Sequence, residues 1–128
     1  MNVDRGSAEA GPLSAYLGEL DPQVTAALGA IVDRAGELVG GVEEGRTYGM
    51  PGLVYRGRPL LSVRATREHL GYYPFSEAVV ESVAADLADF SLSKGTVRFS
   101  LEHPLPAAIV DRMILARRDE IDAALGPV

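Results

Sequence analysis

The stretch "RTYGMPGLVYRGRPLLSVRATREHLGYYP", residues 46–74, decides the fold. It divides into four short runs, RTYGM, GLVYR, PLLSVRAT and EHLGYYP, each carrying β-branched or aromatic residues and each read as a strand. In the longest run Leu61, Val63 and Ala65 fall on one side of an extended chain. Leu60, Ser62, Arg64 and Thr66 fall on the other, the alternation of a sheet with one well-buried face. YRGRP at 55–59 reads as a tight hairpin turn with Gly57 at positive φ, and TREH at 66–69 reads as a second turn. Met50-Pro51-Gly52 is expected to be a corner, because proline fixes its own φ and biases the residue before it toward extended backbone. Just ahead of this stretch, Glu43 and Glu44 are expected at the exposed start of the sheet, with Glu44 free to pair with Arg46 or Arg98 or to help hold a cation.

Helical patterns flank this region on both sides. A short helix is expected over Leu13–Leu20. A longer one follows, with Asp21 as N-cap and Pro22 at the first helical position. Val24, Leu28, Ile31, Val32, Ala35 and Leu38 recur at spacings of three and four, and Gly40-Gly41 ends the pattern. Downstream, SEAVVESVAADLADF has a helical stripe of Val79, Val83, Leu87 and Phe90, with Ser76 as its cap. SLSKG is read as a loop and TVRFSL as a strand, and a last helix is expected from about Pro106 to Leu125. The expected order is ααββββαβα: a compact two-layer α+β domain, an antiparallel sheet of about five strands packed by helices. Residues 1–12 are expected to be a flexible tail and 13–126 a single domain.

Composition narrows the function. The chain has 128 residues and no cysteine, which excludes disulfides, thiolate catalysis and Cys-ligated metal centres. The formal net charge of −6 argues against binding to the phosphate backbone of nucleic acids and leaves room for metal cations. No apolar run approaches the roughly 20 residues of a membrane span. The opening MNVDRGSAEAGP has no leader pattern, so a cytoplasmic protein is expected.

Catalytic motifs are missing. His69 and His103 belong to no ligand pair, no Gly-x-Ser-x-Gly elbow occurs, and Ser91-Leu92-Ser93-Lys94 lacks the companion motifs of a Ser-x-x-Lys enzyme. LSKGT lacks the upstream glycine and the following helix of a phosphate loop. A non-enzymatic protein is expected. Lys94 is the one lysine beside eleven arginines. Carboxylates are the remaining metal candidates: Asp33 and Glu37, one turn apart on a helix, with Glu43 and Glu44 beyond its end. Tyr48, His69, Tyr73, Lys94 and Arg98 are the candidate lining of a small-molecule pocket on the sheet; a non-catalytic protein-interaction module, marked by an exposed apolar patch instead, is the other alternative.

Four separated motifs also match a known family. EEGRTYGMPGLVYRGRPLLSV, HLGYYP, SKGTVRFSLEHPLP and a final helix with ARRDEI resemble the YdhG-like family over about Leu13 to Asp122. That family is a domain of unknown function, the 1801 domain, also described as bacterial frataxin-like iron chaperones. Tyr48-Gly49-Met50-Pro51 and the run Ser93 to Phe99 carry most of the likeness; Glu44, His69, Pro74 and Pro106 also fall on the pattern. The resemblance implies a compact α+β fold. It further implies binding of ferrous iron by acidic side chains, and delivery to proteins that assemble iron–sulfur clusters or haem.

Overall fold

The computed structural model describes residues 11–127. The expected tail lies outside the described residues except for Gly11 and Pro12, and Pro12 already opens a helix. The described residues form helices α1 (Pro12–Gly18), α2 (Pro22–Leu38), α3 (Glu77–Val83) and α4 (Ala107–Leu125). The strands are β1 (Val42–Thr47), β2 (Met50–Tyr55), β3 (Arg58–Ala65), β4 (Leu70–Tyr73), β5 (Ser91–Ser93) and β6 (Thr96–Phe99). One antiparallel sheet holds all six in the order β1-β2-β3-β4-β6-β5. The expected α+β class and the helix-packed antiparallel sheet are found.

Local chemistry explains where the chain turns. Tyr48 (φ 51) and Gly49 (φ 80) make the β1–β2 turn, and Arg56 (φ 51) and Gly57 (φ 79) make the β2–β3 turn. Left-handed backbone at both central residues marks the two-residue hairpin turn whose twist suits a sheet. The expected corner is thus displaced: Met50-Pro51-Gly52 lies within β2, and the reversal occurs at Tyr48-Gly49. Pro51 is tolerated because the pairing of β2 with β3 starts only at Gly52. The next reversal is held by Thr66, whose Oγ accepts the His69 N–H at 3.1 Å.

Two further expectations are corrected. SLSKG is not wholly a loop: Ser91–Ser93 pairs with β6 as a three-residue edge strand. The helix after Ser76 stops at Val83 and tightens into a 3₁₀ turn over Ala84–Leu87. Ser76 does cap it, accepting the Val79 N–H at 3.2 Å. Asp21, by contrast, makes no side-chain cap bond.

Register divides the sheet into two faces. Glu44, Leu53 and Leu61 lie opposite one another across β1, β2 and β3, and Val63, Tyr72 and Val97 do so across β3, β4 and β6. The helices pack on this face: α1 lies on β1 and β2, and α4 crosses β3 between α2 and α3. Leu13, Leu28, Leu61, Val63, Tyr72, Met113 and Ile114 are fully buried between the layers. A bulge in β3, where the register shifts between Leu53 and Val54, lets both Leu60 and Leu61 be buried. The opposite face carries Glu43, Ser62, Arg64, Tyr73 and Arg98.

Candidate ligand pocket

Between α2, the end of β6 and the start of α4 the two layers leave a concave gap of about 390 Å³. From α2 it takes Ala27, Ala30, Ile31 and Arg34, which recur at i, i+3, i+4 and i+7 and so form one stripe of the helix. From α4 it takes Ala107, Val110 and Asp111, and from the strand end and its loop Phe99, Ser100, Leu101, Pro104 and Leu105. The gap exists because alanines stand at the contact. Larger side chains at Ala27, Ala30 and Ala107 would close it by interlocking, as at other helix crossings. The volume falls in the range of natural small-molecule sites.

The loop that forms one wall is held by short-range bonds. Ser100 N–H donates to the His103 carbonyl at 3.3 Å, and His103 N–H donates to the Ser100 carbonyl at 3.2 Å. His103 N–H also reaches Ser100 Oγ at 3.1 Å. The His103 ring stacks on Phe90 with centroids 4.1 Å apart and planes 10° from parallel. Pro104 and Pro106 then stiffen the entry to α4. Ser100 and His103 therefore meet through the backbone, and no hydroxyl–imidazole couple forms in this wall.

One charged cluster lies at the rim. Arg34 donates from Nε and Nη2 to the two oxygens of Asp111, both at 2.9 Å, and from Nη1 to Glu37 at 3.1 Å. The fork-shaped contact with Asp111 joins α2 to α4 across 77 residues. The hydrogen bonds from Arg34 hold the Asp111 carboxyl below the usual carboxylate range. Those to Asp111 and then Glu37 push the Arg34 guanidinium upward.

The sequence pointed elsewhere. Glu43 and Glu44, adjacent in β1, point to opposite faces of the sheet. Glu44 pairs with neither Arg46 nor Arg98. Its carboxylate accepts the Ser14 N–H at 2.7 Å and also the Ser14 hydroxyl. Glu37 is bound to Arg34, and Asp33 stands exposed on α2. No group of three or more His, Asp or Glu side chains able to hold a metal ion gathers among the described residues.

Of the five candidate ligand residues, the fold brings two together. Arg98 lies across from Gly71, and a Cβ on Gly71 would stand 3.0 Å from the Cε1 and hydroxyl of Tyr73, so Tyr73 and Arg98 are neighbours on the open face. The other three sit in three different turns. Tyr48 is in β1–β2, 84% exposed, its ring 5.7 Å from that of Phe75. His69 ends the β3–β4 turn, and Lys94 is exposed between β5 and β6. The pocket residues escaped sequence reading because alanines carry no chemical signature. One signal was present: Ala27, Ala30 and Arg34 line up beside the core stripe of α2.

No family model and no curated protein matches the chain. Among solved structures it is similar to a crystal structure of a protein of the DUF1801 family (YdhG) from Bacillus subtilis, with TM-score 0.75 and 15% sequence identity over 88% of this chain and 94% of that one. The likeness shows a shared fold, the one that the sequence motifs implied.

Proposed function

We propose that this chain is a non-catalytic binding domain whose ligand is a small, largely apolar molecule held between α2 and α4. The observation that carries the reading is the 390 Å³ gap, walled by alanines, Ile31, Phe99, Leu101, Leu105 and Val110, with one ion-paired cluster at its rim. Apolar walls with a few placed polar groups are the usual make-up of a small-molecule site. The non-catalytic part rests on the wall's chemistry, in which Ser100 is tied to its own loop and the charged groups are tied to one another.

Iron carriage is the finer reading that the family resemblance implied. Support for it comes from the acidic balance of −6 and from carboxylates such as Asp33 and Glu43 that stay exposed. Since no three ligating side chains gather among the described residues, iron would need ligands supplied jointly by a partner in iron–sulfur or haem assembly.

One experiment separates the two. Ligand-observed NMR with a set of apolar fragments is run on the wild type and on Ala30→Leu, which fills the gap, while ferrous iron is titrated anaerobically by calorimetry. Fragments that bind the wild type and not Ala30→Leu support the pocket. Fragments that bind neither protein, with saturable iron uptake in both, would replace it by the iron reading.

A further inference from the structure

We infer that the rim cluster makes the pocket selective by charge: it accepts neutral or amine-bearing apolar molecules and turns away carboxylates, with Asp111 and Glu37 as the specificity-determining residues. The inference rests on the pocket reading above and adds the ligand's chemical class. An arginine beside an apolar cavity ordinarily attracts an acidic ligand, because its fork matches a carboxylate. Here the Nε–Nη2 edge of that fork is already occupied. Nε and Nη2 of Arg34 are bound by the two oxygens of Asp111, each at 2.9 Å, and Nη1 by Glu37 at 3.1 Å. One cation among two anions leaves the cluster with a net charge of −1. A carboxylate entering the gap would meet that negative charge, and of the five guanidinium N–H groups only one on Nη1 and one on Nη2 remain to receive it. An ammonium or a neutral donor meets no such barrier, and carboxylate oxygens of Asp111 and Glu37 have lone pairs left to accept from it.

The geometry also assigns unequal parts to the two acids. Asp111 lines the pocket itself and is 28% exposed in its side chain, whereas Glu37, at 66%, faces water and is screened by it. Asp111 therefore sets most of the preference. Removing it does two things together: the cluster loses a negative charge, and the face of Arg34 toward the cavity becomes free.

The test uses three probes with one skeleton and three charges at neutral pH: indole, tryptamine and indole-3-acetate. Their affinities are measured by NMR titration on the wild type, Asp111→Ala and Glu37→Gln, with circular dichroism confirming the fold. The expected result is that the wild type binds indole and tryptamine at least about tenfold more tightly than indole-3-acetate, equivalent to about 1.4 kcal/mol. Asp111→Ala reverses the order, with the acid gaining and the amine losing, and Glu37→Gln narrows the gap without reversing it. Equal binding of all three probes to the wild type overturns the charge selectivity and leaves the pocket reading standing. An unchanged order in Asp111→Ala likewise overturns it. Binding of none of the three overturns the pocket reading and the selectivity with it.

Discussion

The Glu44 carboxylate in β1 accepts the Ser14 backbone N–H at 2.7 Å, together with the Ser14 hydroxyl, and so caps a helix that begins 32 residues before it. Gly11, the N-cap residue of α1, has no side chain for the purpose. Ser14 is the third helical residue, whose N–H has no partner within the helix. Supplying an acceptor there, with negative charge at the helix start, does what a capping side chain does from within.

Glu44→Ala is therefore expected to lower stability by about 1–2 kcal/mol, as the loss of a helix cap does, whereas Glu43→Ala stays within about 0.5 kcal/mol. Urea unfolding of the two single variants checks this. Equal effects would mean that the cap contributes nothing. The contrast also bears on iron: a Glu44 variant that lost metal uptake would first have to be shown to retain α1.

Two glycines in the strands on either side of β3 are expected to differ sharply. A Cβ on Gly52 would stand 2.6 Å from the Leu61 carbonyl oxygen, a backbone atom that cannot step aside. On Gly71 it would stand 3.0 Å from the Tyr73 ring, the far end of a side chain. Gly52→Ala is expected to be destabilised by about 2–3 kcal/mol, at the upper end of ordinary substitutions. Gly71→Ala should lose about 1 kcal/mol, most of it recovered when Tyr73→Ala removes the ring, since neighbours couple. A double-mutant cycle measures that coupling; strict additivity would show that the ring and the glycine are independent.

Tyr72 is fully buried, its hydroxyl without a hydrogen-bond partner among the described residues, and burial pushes its ionisation far upward. Tyr72→Phe deletes an unsatisfied polar atom and keeps the ring. It is expected to be neutral or stabilising by up to about 1 kcal/mol. Thermal unfolding decides it, and a loss of stability would mean that the hydroxyl is bonded after all.

Stability should be flat from weakly acidic to weakly alkaline pH as far as two tertiary contacts are concerned. The folded pKa of Asp111 is lowered from 3.8 by its bonds from Arg34, and that of Asp122 by its bonds from Tyr55 and then Arg56. A lowered carboxylate contributes fully above its unfolded value and loses that contribution as pH falls through the folded one. Tyr55 has the opposite sign: its hydrogen bond to Asp122 raises its pKa above 10.0, so its contribution is present below that value and lost as pH rises through the raised one. Urea midpoints against pH should show acid loss reduced in Asp111→Asn and alkaline loss reduced in Tyr55→Phe. Unchanged profiles would remove these pairs from the account.

The apolar stripe of α2 was legible because burial repeats with the period of a helix; in β3 the expected alternation of burial fails, since a bulge buries Leu60 beside Leu61 and Ser62 is buried with them. Pro51 and Gly52 misled because both residues punctuate turns elsewhere; here an incomplete β2–β3 ladder accommodates the proline, and close packing on Leu61 requires the glycine. Ser91–Ser93 was read as loop because three residues with two serines carry no alternation to detect. The pocket was illegible for a different reason: its walls are the places where side chains stop short, and Arg34 and Asp111 meet only once α2 and α4 are packed.

An open sheet has two margins, and each offers unpaired backbone groups to any extended chain that drifts past. On this molecule β5 presents only three residues, too short to template a growing stack. The other margin, β1, is six residues long and carries Glu43, Glu44 and Arg46 in succession around a glycine. Charged side chains are one of the ways in which edge strands are kept from pairing with another chain, and α1 packs beside these. The adjacent glutamates that first suggest a metal thus stand on the longer open margin, where charge of any kind opposes strand-to-strand stacking without a ligand.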